Sequence, residues 1–303
     1  MSTPLAYVLI TPARNEAEGI ERTIRSMISQ TYKPIKWVIV SDGSTDGTDE
    51  IVLKHCAAQD WMKLVRMPER RERHFAGKVG AFNAGYAAVK DLSFDLVGNL
   101  DADLSFDEDF FEFLIGKFVG HPKMGIGGAP FQEDGKTYDF RFSSVDHVSG
   151  ACQLFRRRCY EDIGGYSPIE GGGIDVVAIL TARMRGWQTR TFTEKTYLHH
   201  RKMGTAQNSV MKSRFKDGRK DYALGAHPAW VVFRAIYQMS KKPLLIGGTL
   251  LMSGYFYSMI KRTPRPISSE LIRFRRKDQI HRLRGFLKSI VPGRVVKHRD
   301  ESR

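Results

Sequence analysis

Short apolar runs alternate with amphipathic segments over the first part of the chain. Four runs have the length and composition of buried strands: Ala6–Ile10, Trp37–Val40, Lys63–Met67 and Leu96–Leu100. The segments between and after them have the helical spacing of apolar side chains: Glu16–Gln30, Thr48–Ala58, Lys78–Lys90 and Asp107–Val119. Strands that alternate with helices of this length are typical of βαβ units. The pattern therefore predicts an α/β fold with a mostly parallel sheet flanked by helices.

The pattern changes twice further along the chain. Residues 124–200 are less regular, with short β-like runs at Ala151–Phe155, Thr189–Phe192 and Thr196–His200. After His200 the chain becomes helical and strongly basic. We therefore predict two regions, residues 1–202 with the α/β sheet and residues 203–303 with basic amphipathic helices.

Four polar segments each follow a predicted strand or open a predicted helix. They are Thr11–Glu16, Ser41–Thr48, Gly77–Gly85 and Asp101–Asp103. Each alone has a simple explanation as a turn, a helix cap or a solvated acidic loop. Ligands bind outside the carboxyl ends of the strands in open α/β sheets, so four such segments at one sheet edge favour a binding site instead.

The side chains of these segments suit a nucleoside diphosphate. A carboxylate such as Asp42 accepts hydrogen bonds from a base or from ribose hydroxyls, and Lys78 at a helix N-terminus can meet phosphate oxygens. Asp103 is a suitable ligand for a hard divalent cation that neutralises phosphate charge. The sequence contains no Gly-x-x-x-x-Gly-Lys-Ser/Thr phosphate loop. No Gly-x-Gly-x-x-Gly follows the first strand, which argues against a dinucleotide oxidoreductase.

Together these segments resemble the motifs of family-two glycosyltransferases of the GT-A fold, which transfer sugars from nucleotide-sugar donors with inversion. The resemblance covers about residues 5–200 and includes a glycine-rich segment ending at Asp175. It implies a Rossmann-like GT-A catalytic domain over residues 1–202, with a nucleotide-binding half over about residues 1–104 and an acceptor half over about residues 105–202. It also implies that Lys78 contacts the phosphates, that Asp101 contacts the ribose or donor sugar, and that Asp103 binds Mn²⁺ or Mg²⁺. The residues it implies as contacts of the nucleoside are Thr11, Pro12, Ala13, Arg14, Glu16 and Asp42.

A transferase of this kind needs a general base that deprotonates the acceptor hydroxyl. The resemblance assigns this role to Asp175, at the end of Glu170-Gly-Gly-Gly-Ile-Asp175. The chain departs from the family here, because Ile174 stands where a Glu is usual and Val177 where a second acid is frequent. A helix N-cap is the alternative role for Asp175, and the two roles are compatible. The acceptor-site candidates from the neighbouring family segment are Asp146 and His147.

The end of the α/β region supplies the remaining site candidates. In many GT-A enzymes a histidine at the position of His199 and His200 in the chain order completes the metal shell. Because adjacent strand residues face opposite ways, we expect one of the two to bind the cation, while a polar strand end is the alternative for both. Arg201 and Lys202 are expected to face the diphosphate leaving group, where positive charge stabilises developing negative charge.

The charge distribution changes the interpretation of the C-terminal region. The formal net charge is +15, and residues 195–303 contain 25 Lys and Arg against 6 Asp and Glu. Such a region favours polyanions, either nucleic acid or the anionic cytoplasmic leaflet of a membrane. Apolar runs between the basic clusters favour the membrane, so nucleic acid is not expected as a partner. The three cysteines follow no metal-ligand spacing and no signal peptide is evident, which predicts a cytoplasmic location.

Three interpretations of the apolar C-terminal segments remain open. Residues 243–260 are an uncharged run of eighteen residues, at the lower limit for a membrane span, with basic pairs at both ends. A helical stripe among basic residues follows, the pattern of an interfacial helix, and consists of Ile280, Leu283, Leu287 and Ile290. The sequence thus predicts peripheral or monotopic attachment to the cytoplasmic face of the cell membrane. A soluble core helix at an oligomer interface and a single span are the alternatives.

The combined prediction is a metal-dependent inverting glycosyltransferase of polysaccharide or cell-envelope synthesis. Its donor is a UDP- or GDP-sugar, and its acceptor is a hydroxyl of a lipid-linked saccharide or polysaccharide precursor. One alternative is a nucleotidyltransferase of similar sheet architecture, which would release pyrophosphate. The other is a non-catalytic membrane or nucleic-acid scaffold, which the replacement of the usual Glu by Ile174 favours. The prediction is compatible with a homo-oligomer.

Overall fold

A computed structural model describes residues 5–69, 75–133, 144–200, 210–241 and 244–290. The chain divides into two compact units, Met1–Met203 and Gly204–Arg303. The first unit alternates strands and helices, and the described part of the second is helical. In chain order, the elements of the first unit are β1 (Tyr7–Ala13), α1 (Ile20–Ile28), β2 (Lys36–Asp42), α2 (Thr48–Cys56), β3 (Met62–Met67), α3 (Phe75–Ala87), β4 (Leu96–Leu100), β5 (Leu104–Ser105), α4 (Phe110–Gly120), β6 (Met124–Gly128), β7 (Phe131–Gln132), β8 (Cys152–Arg156), α5 (Arg157–Asp162), α6 (Ile174–Met184), β9 (Gln188–Thr191) and β10 (Tyr197–His199).

Within the described residues of this unit, seven strands form one sheet in the order β3-β2-β1-β4-β8-β6-β9. β1 pairs in parallel with β2 and β4, β2 with β3, and β6 with β9. β8 is antiparallel to both of its neighbours, β4 and β6. The predicted mostly parallel sheet is therefore confirmed. The carboxyl ends of β1, β2 and β4, where three of the polar segments begin, lie at the same edge.

Helices cover both faces of the central strands. β1, β2 and β4 are buried along nearly their whole length, as the strands of a parallel sheet covered on both faces must be. On one face, Leu9 belongs to an apolar cluster with Ile24 of α1 and Phe111 of α4. On the other face, a Cβ added at Gly85 of α3 would lie 2.5 Å from Ile10 Cγ2. The lack of a side chain at Gly85 therefore allows α3 to approach the sheet closely.

The reversed direction of β8 brings a later part of the chain to the end of β4. Leu100 at the end of β4 is opposite Cys152 at the start of β8. The backbone N–H of Asp101 donates to the carbonyl of Ala151 at 2.8 Å. The segment that precedes β8, and not the one that follows it, therefore lies beside the Asp101–Asp103 turn.

Two helices begin at positions different from those that the pattern predicted. α1 begins at Ile20 rather than at residue 16, because the N–H groups of Glu16 and Ala17 donate to side chains of the Ser41–Thr48 segment. α3 begins at Phe75, so Lys78 lies within its first turn.

The second unit contains α7 (Val210–Ala223), α8 (Pro228–Met239), α9 (Ile246–Ile260) and α10 (Ser269–Ile290) among its described residues. α7 and α9 are in backbone contact. A Cβ added at Gly218 would lie 1.9 Å from Leu251 O, and one added at Gly254 would lie 2.1 Å from Phe215 O. One face of α9 is therefore core. Among the described helices, none combines the length and the apolarity that a bilayer span requires.

Several basic residues of the second unit have structural partners. Asp221 is almost fully buried and forms ion pairs with Arg234 and, at 3.3 Å, with Arg275. Arg275 also donates to the carbonyl of Leu224 at 2.5 Å, beyond the last turn of α7. Some of the basic residues on which the prediction of a polyanion-binding surface rested are therefore paired within the second unit.

The burial of α10 differs from its predicted amphipathic pattern. Its buried stripe consists of Leu271, Arg275 and Gln279. Of the predicted apolar stripe, Leu283 is only half-buried and Leu287 is 53% exposed, while the side chain of Ile290 lies outside the described residues. The apolar stripe of α10 is thus not its core-facing stripe.

Candidate functional site

The Asp101–Asp103 turn at the end of β4 is held in place by α1. Thr23 Oγ1 lies 2.8 Å from the carbonyl oxygens of both Ala102 and Leu104, and it accepts from the N–H of Leu104 at 3.0 Å. A Cβ added at Gly19 would lie 3.3 Å from Asp103 Cβ. One buried hydroxyl and one missing side chain therefore fix the backbone from which both carboxylates project.

Asp101 forms an ion pair with Lys78. Lys78 Nζ lies 2.5 Å from Asp101 Oδ1, and each side chain is about a quarter exposed. The same oxygen accepts from Asn99 Nδ2 at 3.0 Å. The structure thus brings the predicted phosphate contact and the predicted sugar contact together. A phosphate that binds Lys78 would have to share this cation with Asp101.

Asp103 faces His199, and the two side chains fit a divalent cation. Asp103 Oδ1 and His199 Nε2 are 3.7 Å apart, and their side chains are 12% and 7% exposed. Ligands about 2 Å from one ion can be separated by up to about 4 Å, so both atoms could bind the same cation. The ring of Phe131 lies 5.7 Å from the imidazole of His199, centroid to centroid, and restricts its orientation.

His200 has a different partner. Its Nε2 lies 2.7 Å from Ser105 Oγ, while its backbone N–H donates to the carbonyl of Asp103 at 3.0 Å. Partial burial, with the nearby charge of Arg22, lowers the pKa of His200 below its ordinary value. The structure therefore distinguishes His199 from His200, which the sequence alone did not. Arg201 and Lys202, the predicted diphosphate contacts, lie outside the described residues.

The two segments predicted to contact the nucleoside are joined by hydrogen bonds. The N–H of Asn15, a residue with φ of +54°, donates to Ser44 Oγ at 3.1 Å, and Asn15 Oδ1 accepts from the N–H of Thr45 at 2.9 Å. Asp46 accepts from Ala17 and Thr48. Partial burial alone would raise the pKa of Asp46, but these hydrogen bonds lower it. The segments after β1 and β2 thus form one connected surface.

Individual residues of this surface differ in accessibility. Thr11 is fully buried and its hydroxyl accepts from Trp37 Nε1 at 2.9 Å, so only its backbone is left for a nucleoside. Asp42 ends β2 and is 5% exposed. Of the remaining predicted nucleoside contacts, Ala13 and Glu16 are buried, and Pro12 and Arg14 are half-buried.

Asp175 lies in the first turn of α6, beside the segment that precedes β8. The N-cap of α6 is Gly173, with φ of +91°, so Asp175 is not the N-cap. The positive end of the helix dipole favours a carboxylate at this place. A Cβ added at Gly150 would lie 2.8 Å from Asp175 Cβ and 3.3 Å from Asp175 Oδ2. The carbonyl of Gly150 in turn accepts from Asn99 Nδ2 at 2.6 Å, which connects the predicted base to β4.

Asp146 and His147 lie toward the other end of α6. Asp146 Oδ2 is 3.9 Å from Arg183 Nη2, and the Asp146 carbonyl accepts from Thr189 Oγ1 at 2.7 Å. The carbonyl of His147 accepts from Thr191 Oγ1 at 2.6 Å. Arg183 is eight residues after Asp175, about 12 Å along the helix axis. The contact of Asp146 and His147 with an acceptor therefore stays a prediction.

Sequence reasoning missed three residues that position the site: Thr23, Asn99 and Gly150. A signal existed for two of them. Thr23 is a polar residue within the apolar stripe of α1, and Asn99 is a polar residue within a buried strand. Gly150 had no such signal, because its position depends on the unpredicted direction of β8.

Comparisons with known proteins identify the family of the chain. The family model "Glycosyl transferase family 2" matches residues 8–167, more than half of the chain. Poly-beta-1,6-N-acetyl-D-glucosamine synthase of Staphylococcus aureus (strain COL) is 30% identical over 170 residues, which are 50% of this chain and 39% of that protein. The homologous synthase of Staphylococcus epidermidis is 29% identical over the same length. The chain thus spans less than half the length of these relatives.

Solved structures share the fold at low sequence identity. The mannosyltransferase PcManGT from Pyrobaculum calidifontis, in complex with GDP-Man and Mn²⁺, is similar with a TM-score of 0.57 and 18% identity, over 97% of this chain and 77% of that one. S. aureus TarS 1–349, in complex with UDP-GlcNAc, is similar with a TM-score of 0.53 and 13% identity, over 95% and 82%. With its Asp-Ala-Asp turn at the edge of a mostly parallel sheet, the chain belongs to glycosyl transferase family 2 and has the GT-A fold.

Proposed function

We propose that this glycosyltransferase moves a sugar, with inversion, from a UDP- or GDP-sugar to a hydroxyl of a lipid-linked or polysaccharide-precursor saccharide. The observation that carries the proposal is the contact between Asp175 and Gly150, whose carbonyl accepts a hydrogen bond from Asn99 of β4. A carboxylate suited to proton transfer and a turn suited to a nucleotide sugar are thus linked through Gly150 and Asn99. Two of the compared structures support the donor class, because one contains GDP-Man and the other contains UDP-GlcNAc.

In the proposed mechanism, Asp175 accepts the proton of the acceptor hydroxyl as that oxygen attacks the anomeric carbon in line. The bond between this carbon and the diphosphate oxygen breaks, and its electron pair leaves with the nucleoside diphosphate. Proton transfer of this kind typically contributes a factor of about 10² to 10⁴ to the rate.

The leaving diphosphate needs positive charge near its oxygens. Asp103 and His199 would hold Mn²⁺ or Mg²⁺, which neutralises the developing negative charge when it is bound. Mg²⁺ commonly uses one or two protein carboxylates together with substrate phosphates, and Asp103 supplies one such carboxylate. Lys78 supplies the second charge once a phosphate competes with Asp101 for it. Arg201 and Lys202 are further proposed contacts of the diphosphate.

The test of the proposed function is a screen of UDP-, GDP- and dTDP-sugars with Mn²⁺. We expect release of a nucleoside diphosphate from one of them, and we expect a chelator to stop it. Release of pyrophosphate would instead support a nucleotidyltransferase. Failure to turn over any donor would support a non-catalytic scaffold, the interpretation that Ile174 favoured.

Replacing Lys78 by glutamine should weaken nucleotide binding by roughly 10-fold or more, because a charge-assisted hydrogen bond contributes about 1.5–3 kcal/mol. Calorimetric titration with UDP or GDP and Mn²⁺ measures this effect. Lys117→Gln is a matched control, since Lys117 is similarly exposed and forms an ion pair with Glu194 at 2.8 Å. Equal affinities of the two variants would argue against a phosphate contact by Lys78.

We also propose that the second unit works at the anionic cytoplasmic face of a membrane, where a lipid-linked acceptor would be located. The corner between α8 and α9 carries large exposed apolar side chains: Ile236, Leu244, Leu245 and Ile246, which are 48–65% exposed. Lys241 lies in the same corner. Apolar tips next to basic side chains suit the interface of an anionic bilayer.

Leu245→Glu should reduce binding to vesicles of phosphatidylglycerol and phosphatidylcholine by roughly 10- to 100-fold. Burying a leucine side chain contributes about 1.5–3 kcal/mol, and this substitution removes that contribution. Vesicle flotation measures the bound fraction. Leu53→Glu, at a leucine of the first unit that is 45% exposed, is the control and should bind like the original chain. Equal flotation of both variants would contradict this membrane surface.

A further inference from the structure

Asn99 is a fully buried amide at the end of the central strand of the site. It lies on β4, opposite Ile10 of β1 and Gln153 of β8. Its Nδ2 donates two hydrogen bonds, one to Asp101 Oδ1 at 3.0 Å and one to the carbonyl of Gly150 at 2.6 Å. The two acceptors belong to different parts of the chain, so this amide group joins them.

The other end of the same amide is unsatisfied. Asn99 Oδ1 is buried and has no hydrogen-bond partner among the described residues. A buried polar atom without a partner destabilises the fold, so stability alone would favour an apolar side chain at this position. Departures from such local rules are expected where a residue serves function. The two hydrogen bonds donated by its NH₂ group are therefore the feature that accounts for an asparagine at position 99.

Both acceptors of Asn99 contact groups of the proposed reaction. Asp101 Oδ1 also accepts from Lys78, the proposed phosphate contact. Gly150 has no side chain, and the space where its Cβ would lie is filled by Asp175, with Oδ2 at 3.3 Å. The hydroxyl of the buried Tyr166 donates to Gln153 Oε1 at 2.6 Å, and burial, followed by the charge of Asp175, raises the pKa of Tyr166. The path from Lys78 to Asp175 thus runs through Asp101, Asn99 and Gly150.

We propose that Asn99 is a positioning residue, which couples the donor-side carboxylate Asp101 to the acceptor-side backbone at Gly150 and so sets the separation between the donor sugar and Asp175. The inference rests on the proposed function, because it assumes that Asp175 is the base. Asn99 itself is buried and touches no substrate. Its effect is on geometry, to which in-line transfer is sensitive: a misplacement of about 1 Å can lower a rate by about 10²-fold.

The experiment compares Asn99→Ala and Asn99→Ser with Gln30→Ala. Gln30 is a matched control, because it is also a buried amide and its Nε2 donates to Ser26 and Asp107 away from the site. For each full-length variant, the sites that bind UDP or GDP with Mn²⁺ are counted by calorimetric titration. The rate of nucleoside diphosphate release at saturating donor, with the most active sugar of the screen, is then divided by that number.

We expect this normalised kcat to fall by roughly 10- to 100-fold in Asn99→Ala and to stay near the original value in Gln30→Ala. Asn99→Ser should recover part of the loss, because a hydroxyl can still donate one of the two hydrogen bonds. A purely structural role would lower the number of binding sites and leave the normalised kcat unchanged, which would overturn the proposal. If the original chain turns over no donor while it still binds nucleotide, the proposed function fails rather than the role of Asn99.

Discussion

Replacement of Asp175 by asparagine should nearly abolish sugar transfer while nucleotide binding stays within about 3-fold of its original value. The substitution keeps the shape of the side chain beside Gly150 but removes the group that takes the proton. Loss of general-base catalysis lowers rates by about 10² to 10⁴. Nucleotide affinity should change little, because Asp175 lies on α6, whereas the proposed nucleotide contacts follow β1, β2 and β4 or, for Lys78, lie on α3.

The matched control for Asp175→Asn is Asp109→Asn. Asp109 is the N-cap of α4 and forms an ion pair with Lys195, so its replacement also removes an acid from a helix start. Both substitutions should lower stability slightly, because each removes a negative charge from the positive end of a helix dipole. Transfer should be lost only in Asp175→Asn, as measured by product formation at saturating donor. Unchanged turnover in this variant would rule out Asp175 as the base.

Asp103→Asn should lower turnover on the order of 10³-fold and raise the Mn²⁺ concentration needed for half-maximal activity. A bound cation stabilises a leaving diphosphate by several kcal/mol, and a neutral amide is a much poorer ligand than a carboxylate. Mn²⁺ titration of activity, together with Mn²⁺ binding followed by electron paramagnetic resonance, measures both effects.

The two adjacent histidines provide the control for the metal site. His199→Ala should shift the Mn²⁺ dependence in the same direction as Asp103→Asn, because His199 Nε2 faces Asp103 Oδ1. His200→Ala should shift it much less, because the imidazole of His200 bonds to Ser105. A larger shift in His200→Ala than in His199→Ala would contradict the proposed pair of ligands.

The order of strands and helices in the first part of the chain was predictable because each of these elements depends on a local sequence pattern. Each of the first four strands is a short apolar run, and each helix presents apolar residues at helical spacing, so their order follows from periodicity. The Asp101–Asp103 turn and Asp42 were identified for the same reason, since they end such strands. The start of α1 was wrong by four residues. The N–H groups of its predicted first turn instead donate to Thr48 and Asp46, which follow β2. No local sequence pattern encodes these hydrogen bonds.

The connections across the site were not predictable in this way. The antiparallel direction of β8 depends on pairing over long sequence distances, and it alone brings Gly150 between Asn99 and Asp175. The ion pair of Lys78 with Asp101 likewise depends on how α3 packs. In the second unit, α9 was predicted as membrane-associated because its composition is apolar. Its glycines allow backbone contact with α7, and an apolar composition alone does not predict this contact.

The strand order has a consequence for how the protein folds. β1 and β4 are neighbours at the centre of the sheet. Where they begin, the N–H of Ala6 donates to Oδ2 of Asp95, a residue 89 positions away in the sequence. Contacts this distant in sequence form slowly, because a long loop must close before the pairing stabilises it. The turn that carries Asp101 and Asp103 follows β4 directly. The ability to bind a nucleotide should therefore appear late in refolding, after the local helices have formed.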